Sequence, residues 1–213
     1  IGRVLDDGTT QLTQFSYNGM GNVTHTVDAL GRDTQFDYAA NQIDIVKISQ
    51  KTATNTYSTI AEFTYNNQHL PLTYKDAAGQ ITQYAYNSAG QLIQVTDALN
   101  QVTSYTYNDL GYLTQVTNAN GKTELSLSYD TYGRVASRAD SEGHTVSFAY
   151  DDFDRIVKTS YPDGTSQTAS WDKLDLASIT DRQGRTTQFT YDAVRNLIAT
   201  IDPLNRKIQY GYY

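Results

Sequence analysis

Cysteine is absent from the 213 residues, which removes disulfide staples and thiolate metal sites and leaves the redox compartment open. Basic residues are scarce: 16 Lys and Arg stand against 23 Asp and Glu, for a net charge of -7. No basic field therefore gathers a phosphate backbone, and nucleic acid is not an expected partner. No run of about 18 apolar residues is present, so membrane insertion by this segment is not expected. The opening residues IGRVLDDG contain neither a charged leader nor an apolar stretch after one. Only 38% of residues are hydrophobic, and the commonest large one is Tyr, with 18 copies. Its hydroxyl can stay wet or find a partner, which suits a sheet better than a thick core.

What the chain has in abundance is a repeat. The stretch from Tyr86 to Asn108 ends as it began, on an aromatic followed by Asn, and Gly111, Leu113, Val116, Asn118 and Gly121 recur where Gly90, Leu92, Val95, Asp97 and Asn100 stood. The opening aromatics are Tyr17, Tyr38, Tyr65, Tyr86, Tyr107, Tyr129, Tyr150, Trp171, Tyr191 and Tyr212, at spacings of 21, 27, 21, 21, 22, 21, 21, 20 and 21. A period in the twenties indicates stacked units, each burying its apolar surface against its neighbours.

Each unit reads as one β-hairpin. Aromatic-x-aromatic pairs such as Phe36/Tyr38, Phe63/Tyr65, Tyr84/Tyr86 and Tyr105/Tyr107 place both rings on one face of a strand, because side chains alternate across the pleat. Runs such as Val102–Tyr107 and Leu92–Thr96 carry the β-branched and aromatic residues that fit a pleated surface. Between them stand Gly31, Gly79, Asn100, Gly121, Gly143, Gly164, Gly184 and Asn205, residues that tolerate the positive φ of a tight hairpin. Asp28, Asp76, Asp97, Asn118, Asp140, Asp181 and Asp202 precede them by three, where a short side chain can bond the turn's own backbone. The expected fold is all-β: a long antiparallel meander of hairpins of about 21 residues, whose accumulated twist makes the sheet curve or spiral. Residues 1–16 read as an incomplete unit turning at Asp6-Asp7-Gly8. Residues 39–64 read as a lengthened repeat with a protruding hairpin around Lys51–Asn55. The expected organisation is a single array over residues 1–213, a fragment of a longer protein.

The unit Y-[DN]-x-x-G-x-L-x-x-x-T-D-x-x-G-x-x-T-x-[YF]-x-Y-[DN], matched closely by Tyr86 to Asn108, resembles the YD repeat of the Rhs family. Similar proteins include bacterial Rhs polymorphic toxins, the cocoon component of Tc toxin complexes and the teneurins of animal cell surfaces. The resemblance implies a spiralling strip of sheet wrapping a hollow shell, which in bacterial members holds a toxic C-terminal domain, and a secreted or cell-surface location. Its implied partners are the neighbouring repeats and the enclosed toxin domain. Bacterial members cleave themselves beside a DPxGL motif; Asp202-Pro203-Leu204-Asn205 lacks the Gly-Leu and stands where other repeats place D-x-x-G.

Candidate chemistry is sparse. Asp151, Asp152 and Asp154 with Asp130 and Asp140 form the densest carboxylate set, but a glycosidase needs two carboxyls with separated pKa values across a cleft, and Asp130, Asp151, Asp172 and Asp192 recur at the repeat period as turn residues. His25, His69 and His144 occupy unrelated repeat positions without a second ligand at metal spacing. No G-x-S-x-G elbow precedes a helix, and Gly19-Met20-Gly21 reads as a turn. No catalytic, cofactor-binding or metal residues are assigned, and no cofactor is expected. The row of Tyr, including Tyr84 and Tyr105, allows two readings: rings packed on adjoining hairpins, or a surface for glycans or another protein, as in an adhesion or carbohydrate-binding region. The leading expectation is a non-catalytic shell segment around a toxic cargo. Open sheet edges add the possibility of edge-to-edge self-association.

Overall fold

A computed structural model of the chain describes residues 2–4, 6, 8 and 10–212. Ile1 and Asp7, parts of the incomplete first unit and its turn, lie outside the described residues. Contacts group the chain into two compact units, Ile1–Ser104 and Tyr105–Tyr213.

In the first unit, β1 (Gly2–Val4) and β2 (Thr10–Leu12) pair as a separate two-stranded sheet. A second sheet follows chain order: β3 (Gln14–Tyr17), β4 (Val23–Val27), β5 (Asp33–Tyr38), β6 (Ile45–Ala53), β7 (Thr56–Tyr65), β8 (Pro71–Asp76), β9 (Ile81–Tyr86), β10 (Leu92–Thr96) and the start of β11 (Val102–Tyr107). Every neighbouring pair is antiparallel. β6 and β7, at 9 and 10 residues, are the long strands of the set.

The second unit continues the scheme with β12 (Leu113–Thr117), β13 (Thr123–Tyr129), β14 (Val135–Asp140), β15 (Thr145–Tyr150), β16 (Ile156–Ser160), β17 (Ser166–Asp172), β18 (Asp175–Thr180), β19 (Thr186–Tyr191), β20 (Leu197–Ile201) and β21 (Lys207–Gln209). These strands also pair antiparallel in chain order.

One turn, used at both ends of the strands, explains this regularity. At Asp97 the carboxylate Oδ1 accepts from Leu99 N (2.9 Å) and Gln101 N (2.8 Å). Asn100 N donates to Asp97 O at 3.0 Å, Asp97 N donates to Gln101 O at 3.0 Å, and Asn100 sits at φ 61°. This is a type I turn closed by a left-handed residue, a standard three-residue hairpin loop. The Tyr-[DN] turns are built the same way: Asn18, Asn66, Asn87, Asn108, Asp130, Asp151 and Asp192 each cap two backbone N–H groups with Oδ1. The left-handed position is less restricted there than Gly or Asn alone, since Gln42, His69, Asp154 and Arg195 occupy it at φ 61–70°.

The register separates the two faces, which the sequence pattern had left mixed. Phe36 faces Ile48 and Ile48 faces Ala61, while Phe63 faces Tyr74 with ring centroids 5.4 Å apart. The opposite face carries hydroxyls, amides and charges. Asp37, Lys47, Glu62 and Lys75 lie in one cross-strand row with contacts of 3.2 Å (Lys47–Asp37) and 2.8 Å (Lys75–Glu62). In the second unit, hydroxyl pairs fill that role: Ser128 with Ser137 at 2.6 Å and Ser170 with Ser178 at 2.7 Å. Among the described residues only Ala61, Ala199, Asp44 and Ser49 are buried, so neither unit has a closed core, and cross-strand pairs worth about 0.2–1 kcal/mol each carry much of the stability.

Candidate functional site

The opening Tyr of the repeat has a hydrogen-bonding role that its ring alone does not reveal. Tyr38, Tyr65, Tyr129, Tyr150 and Tyr212 donate their hydroxyls to the carbonyls of Val23, Ile45, Leu113, Val135 and Leu197, at 2.7–2.9 Å. Each acceptor is the first residue of a strand one repeat earlier. At several of these points the register slips by one residue, as where Tyr150 faces Ile156 but Ala149 faces Lys158; such a bulge bends its strand. Trp171 stands where the Tyr recurs, and its Nε1 is buried with no partner. Tyr84 and Tyr105 are half-buried within β9 and β11.

The acidic set divides between the two ends of the strands. Asp130, Asp151, Asp152 and Asp154 lie in the successive turns that follow β13 and β15, whereas Asp140 ends β14 and opens the next turn, at the opposite strand ends, beside His144 (3.2 Å). Arg134 joins the first group. Its Nε bonds Asp130 Oδ2 at 2.7 Å, and its Nη1 bonds Asp151 O at 2.9 Å and Asp154 Oδ1 at 2.8 Å. Arg155 repeats the pattern, with Nε to Asp151 Oδ2 at 2.8 Å and Nη1 to Lys173 O at 2.7 Å. The Arg155 hydrogen bond is the main reason the Asp151 carboxyl is held below the usual carboxylate range. At Asp130, partial burial pushes upward, but the bonds from Arg134 and Tyr132 prevail and the net shift is downward. Both carboxylates are thus fixed in the charged state by their own turns, the reverse of the separated pair that acid–base chemistry needs.

The same arginines stack on rings. Arg134 Cζ lies 4.8 Å from the Tyr132 centroid and 4.7 Å from that of Tyr150; Arg155 Cζ lies 5.1 Å from Phe153 and 4.3 Å from Trp171. Tyr132 and Phe153 remain 79% and 66% exposed. Sequence reasoning passed over them; the available signal was an Arg directly after the left-handed residue.

The three histidines stay apart. His25 meets Tyr57 edge-on at 6.4 Å, and His144 lies beside Asp140. His69 Nδ1 contacts Asp44 Oδ2 at 2.9 Å. Asp44 is 8% exposed and also accepts from Asn41 Nδ2 at 2.6 Å; His69 is the leading cause of its lowered pKa. This cluster was missed because it sits in an irregular turn: Ala39 N bonds Asp44 O across one more residue than elsewhere. Among the described residues no group of three or more His, Cys, Asp or Glu is arranged to hold a metal ion. Asp202-Pro203-Leu204-Asn205 forms an ordinary repeat turn, with Asp202 Oδ1 accepting from Leu204 N and Arg206 N, both at 2.9 Å.

Fold and site together define a class: a β-hairpin repeat array whose charged and aromatic motif residues fasten one repeat to the next. The model of the RHS repeat matches residues 65–98, 86–123, 129–166 and 171–212, more than half of the chain, and the chain belongs to the RHS repeat family. Double-stranded DNA deaminase toxin A of Burkholderia cenocepacia (strain H111) is 31% identical over 94 residues, 44% of this chain and 6% of that protein. Among solved structures, the crystal structure of TcdB2-TccC3-TEV superposes with a TM-score of 0.70 at 15% identity, over 89% of this chain and 11% of that one. That of TcdB2-TccC3 gives 0.51 at 14%, over 88% and 13%. The chain therefore spans a small part of the relatives it matches, and the structural likeness concerns the fold.

Proposed function

We propose that this chain is a non-catalytic wall segment of a repeat shell that encloses a toxic C-terminal domain of its parent protein, which is secreted or displayed at the cell surface. The observation that carries the reading is that the motif residues are consumed in holding repeat to repeat: the Tyr hydroxyls bond backbone carbonyls, and Asp130 and Asp151 are satisfied within their own turns. Such a sheet extends by adding hairpins without a core of its own. Membership of the RHS repeat family and the likeness in fold to TcdB2-TccC3 support a structural repeat wall, and the partial match to a deaminase toxin supports a toxin context.

Limited proteolysis of the full-length parent tests this. Under native conditions its C-terminal domain should resist digestion far longer than the same domain expressed alone. Equal digestion rates would sink the reading.

A further inference from the structure

Arginines of the second unit bridge neighbouring turns. Arg134 reaches Asp151 O and Asp154, Arg155 reaches Lys173 O, Arg182 reaches Asp163 and Thr165, and Arg195 reaches Leu174 O and Asp175. Each guanidinium thereby spends N–H groups on an oxygen outside its own turn. Arg185 and Arg206, in the turns after β18 and β20, do not. Arg185 bonds Asp181 through Nε and Nη2, both at 2.7 Å, and Arg206 bonds Asp202 through Nε. Among the described residues Arg185 Nη1 and both Nη groups of Arg206 have no acceptor, and the two side chains are 60% and 74% exposed. Where a bridge would stand, a cleft of about 420 Å³ opens between the turns, lined by the two Arg–Asp pairs and by an apolar wall of Pro203 and Leu204. The charge balance of the chain also reverses here: residues 181–207 carry five basic side chains against three acidic ones, whereas the whole chain carries 16 against 23.

We propose that Arg185 and Arg206 hold two carboxylates of an acidic peptide in the polyproline II conformation. A guanidinium offers paired N–H donors that match a carboxylate, so the peptide supplies the acceptors that a neighbouring turn supplies elsewhere. The two turns are two strand spacings apart, about 10 Å. In a polyproline II segment, residues three apart share a face and lie about 9 Å from one another. Glu-Pro-Pro-Glu therefore presents its carboxylates at the spacing of the two arginines and offers proline rings to the apolar wall. Such a segment is stiff before it binds, which lowers the ordering cost. Asp181 and Asp202 hold the guanidiniums in place and, with the net charge of -7, disfavour the dense negative charge of a nucleic acid strand. The site does not depend on the enclosure of a cargo.

The test is fluorescence anisotropy of a labelled Ser-Glu-Pro-Pro-Glu-Ser peptide titrated with the 213-residue chain. Saturable binding is expected, weakening as salt is added. Arg185→Gln and Arg206→Gln should each weaken it about fivefold to tenfold, and the double variant should show none. Gln already occupies this turn position at Gln80 and Gln101, so the fold accepts the change. Arg32→Gln removes the same kind of ion pair from a turn of the first unit and should bind as wild type. The proposal is overturned if the peptide does not bind, if its Ser-Gln-Pro-Pro-Gln-Ser counterpart binds equally well, or if the double variant binds undiminished. It is also overturned if inorganic phosphate displaces the peptide at equal concentration, which would show an adventitious ion only.

Discussion

The Tyr129 hydroxyl donates to the Leu113 carbonyl oxygen at 2.7 Å across one repeat, with the Tyr129 ring stacked on Tyr112 at 4.9 Å. The motif Tyr is therefore both packing element and backbone clasp. Tyr129→Phe keeps the stack and removes the clasp, leaving a half-buried carbonyl without its partner. A loss of about 1 kcal/mol is expected from a urea unfolding curve, and no change in midpoint would show that the hydroxyl contributes nothing.

Tyr112 also sets the cost of change at Gly133. Both Gly133 and Gly143 have positive φ, 82° and 83°, but a Cβ on Gly133 would fall into the Tyr112 ring, whereas one on Gly143 meets nothing within 4 Å. Backbone strain of about 1–2 kcal/mol is common to both Ala variants. Gly133→Ala should lose clearly more, and the excess should vanish when Tyr112 is also changed to Ala. A double-mutant cycle reads this directly; additive effects would contradict it.

Strands and turns were legible in the sequence because they are local. Val102–Tyr107 advertises its pairing surface residue by residue, and Asp97-x-x-Asn100 contains every atom of its own turn. The all-β antiparallel meander followed from these. The faces were not legible, because Thr, Ser and Gln stand on both and the slip at several Tyr-[DN] turns changes which residue meets which. Nothing in the residues around Ser104 and Tyr105 marks the division into two units. The Asp44–His69 contact joins two turns whose lengths differ, so no fixed spacing announces it, and Tyr132 and Phe153 were hidden by occupying a position that the repeat motif leaves variable.

At Asp44 the cost of losing a partner should be visible. The carboxylate is 8% exposed and relies on His69 and Asn41, and burying a charge without a partner is unfavourable. His69→Ala should lower the melting temperature at pH 7, and adding Asp44→Asn should recover part of the loss, since the amide carries no charge to bury. If His69→Ala melts like wild type, the contact is incidental.

Acid should act through the turn carboxylates. Asp28, Asp130, Asp151, Asp181 and Asp202 each lie four residues before an Arg that they hold, and all five have pKa values lowered from 3.8. A carboxyl depressed on folding stabilises fully above its unfolded value and loses that contribution as pH falls towards the folded one. Stability should therefore be flat near neutrality and fall as the pH drops below about 4, with the exposed pairs, such as that of Arg206, contributing least because solvent screens them. Asn caps the same turn at Asn18, Asn66, Asn87 and Asn108, where Arg is absent four residues on; the cap needs only an oxygen, and the charge serves the Arg. Asp151→Asn should accordingly keep the turn, lose at pH 7 the stabilisation that the carboxylate's charge supplies through Arg155, and make unfolding less steeply dependent on pH below 4. A wild-type slope in that variant would mean that the acid response comes from elsewhere.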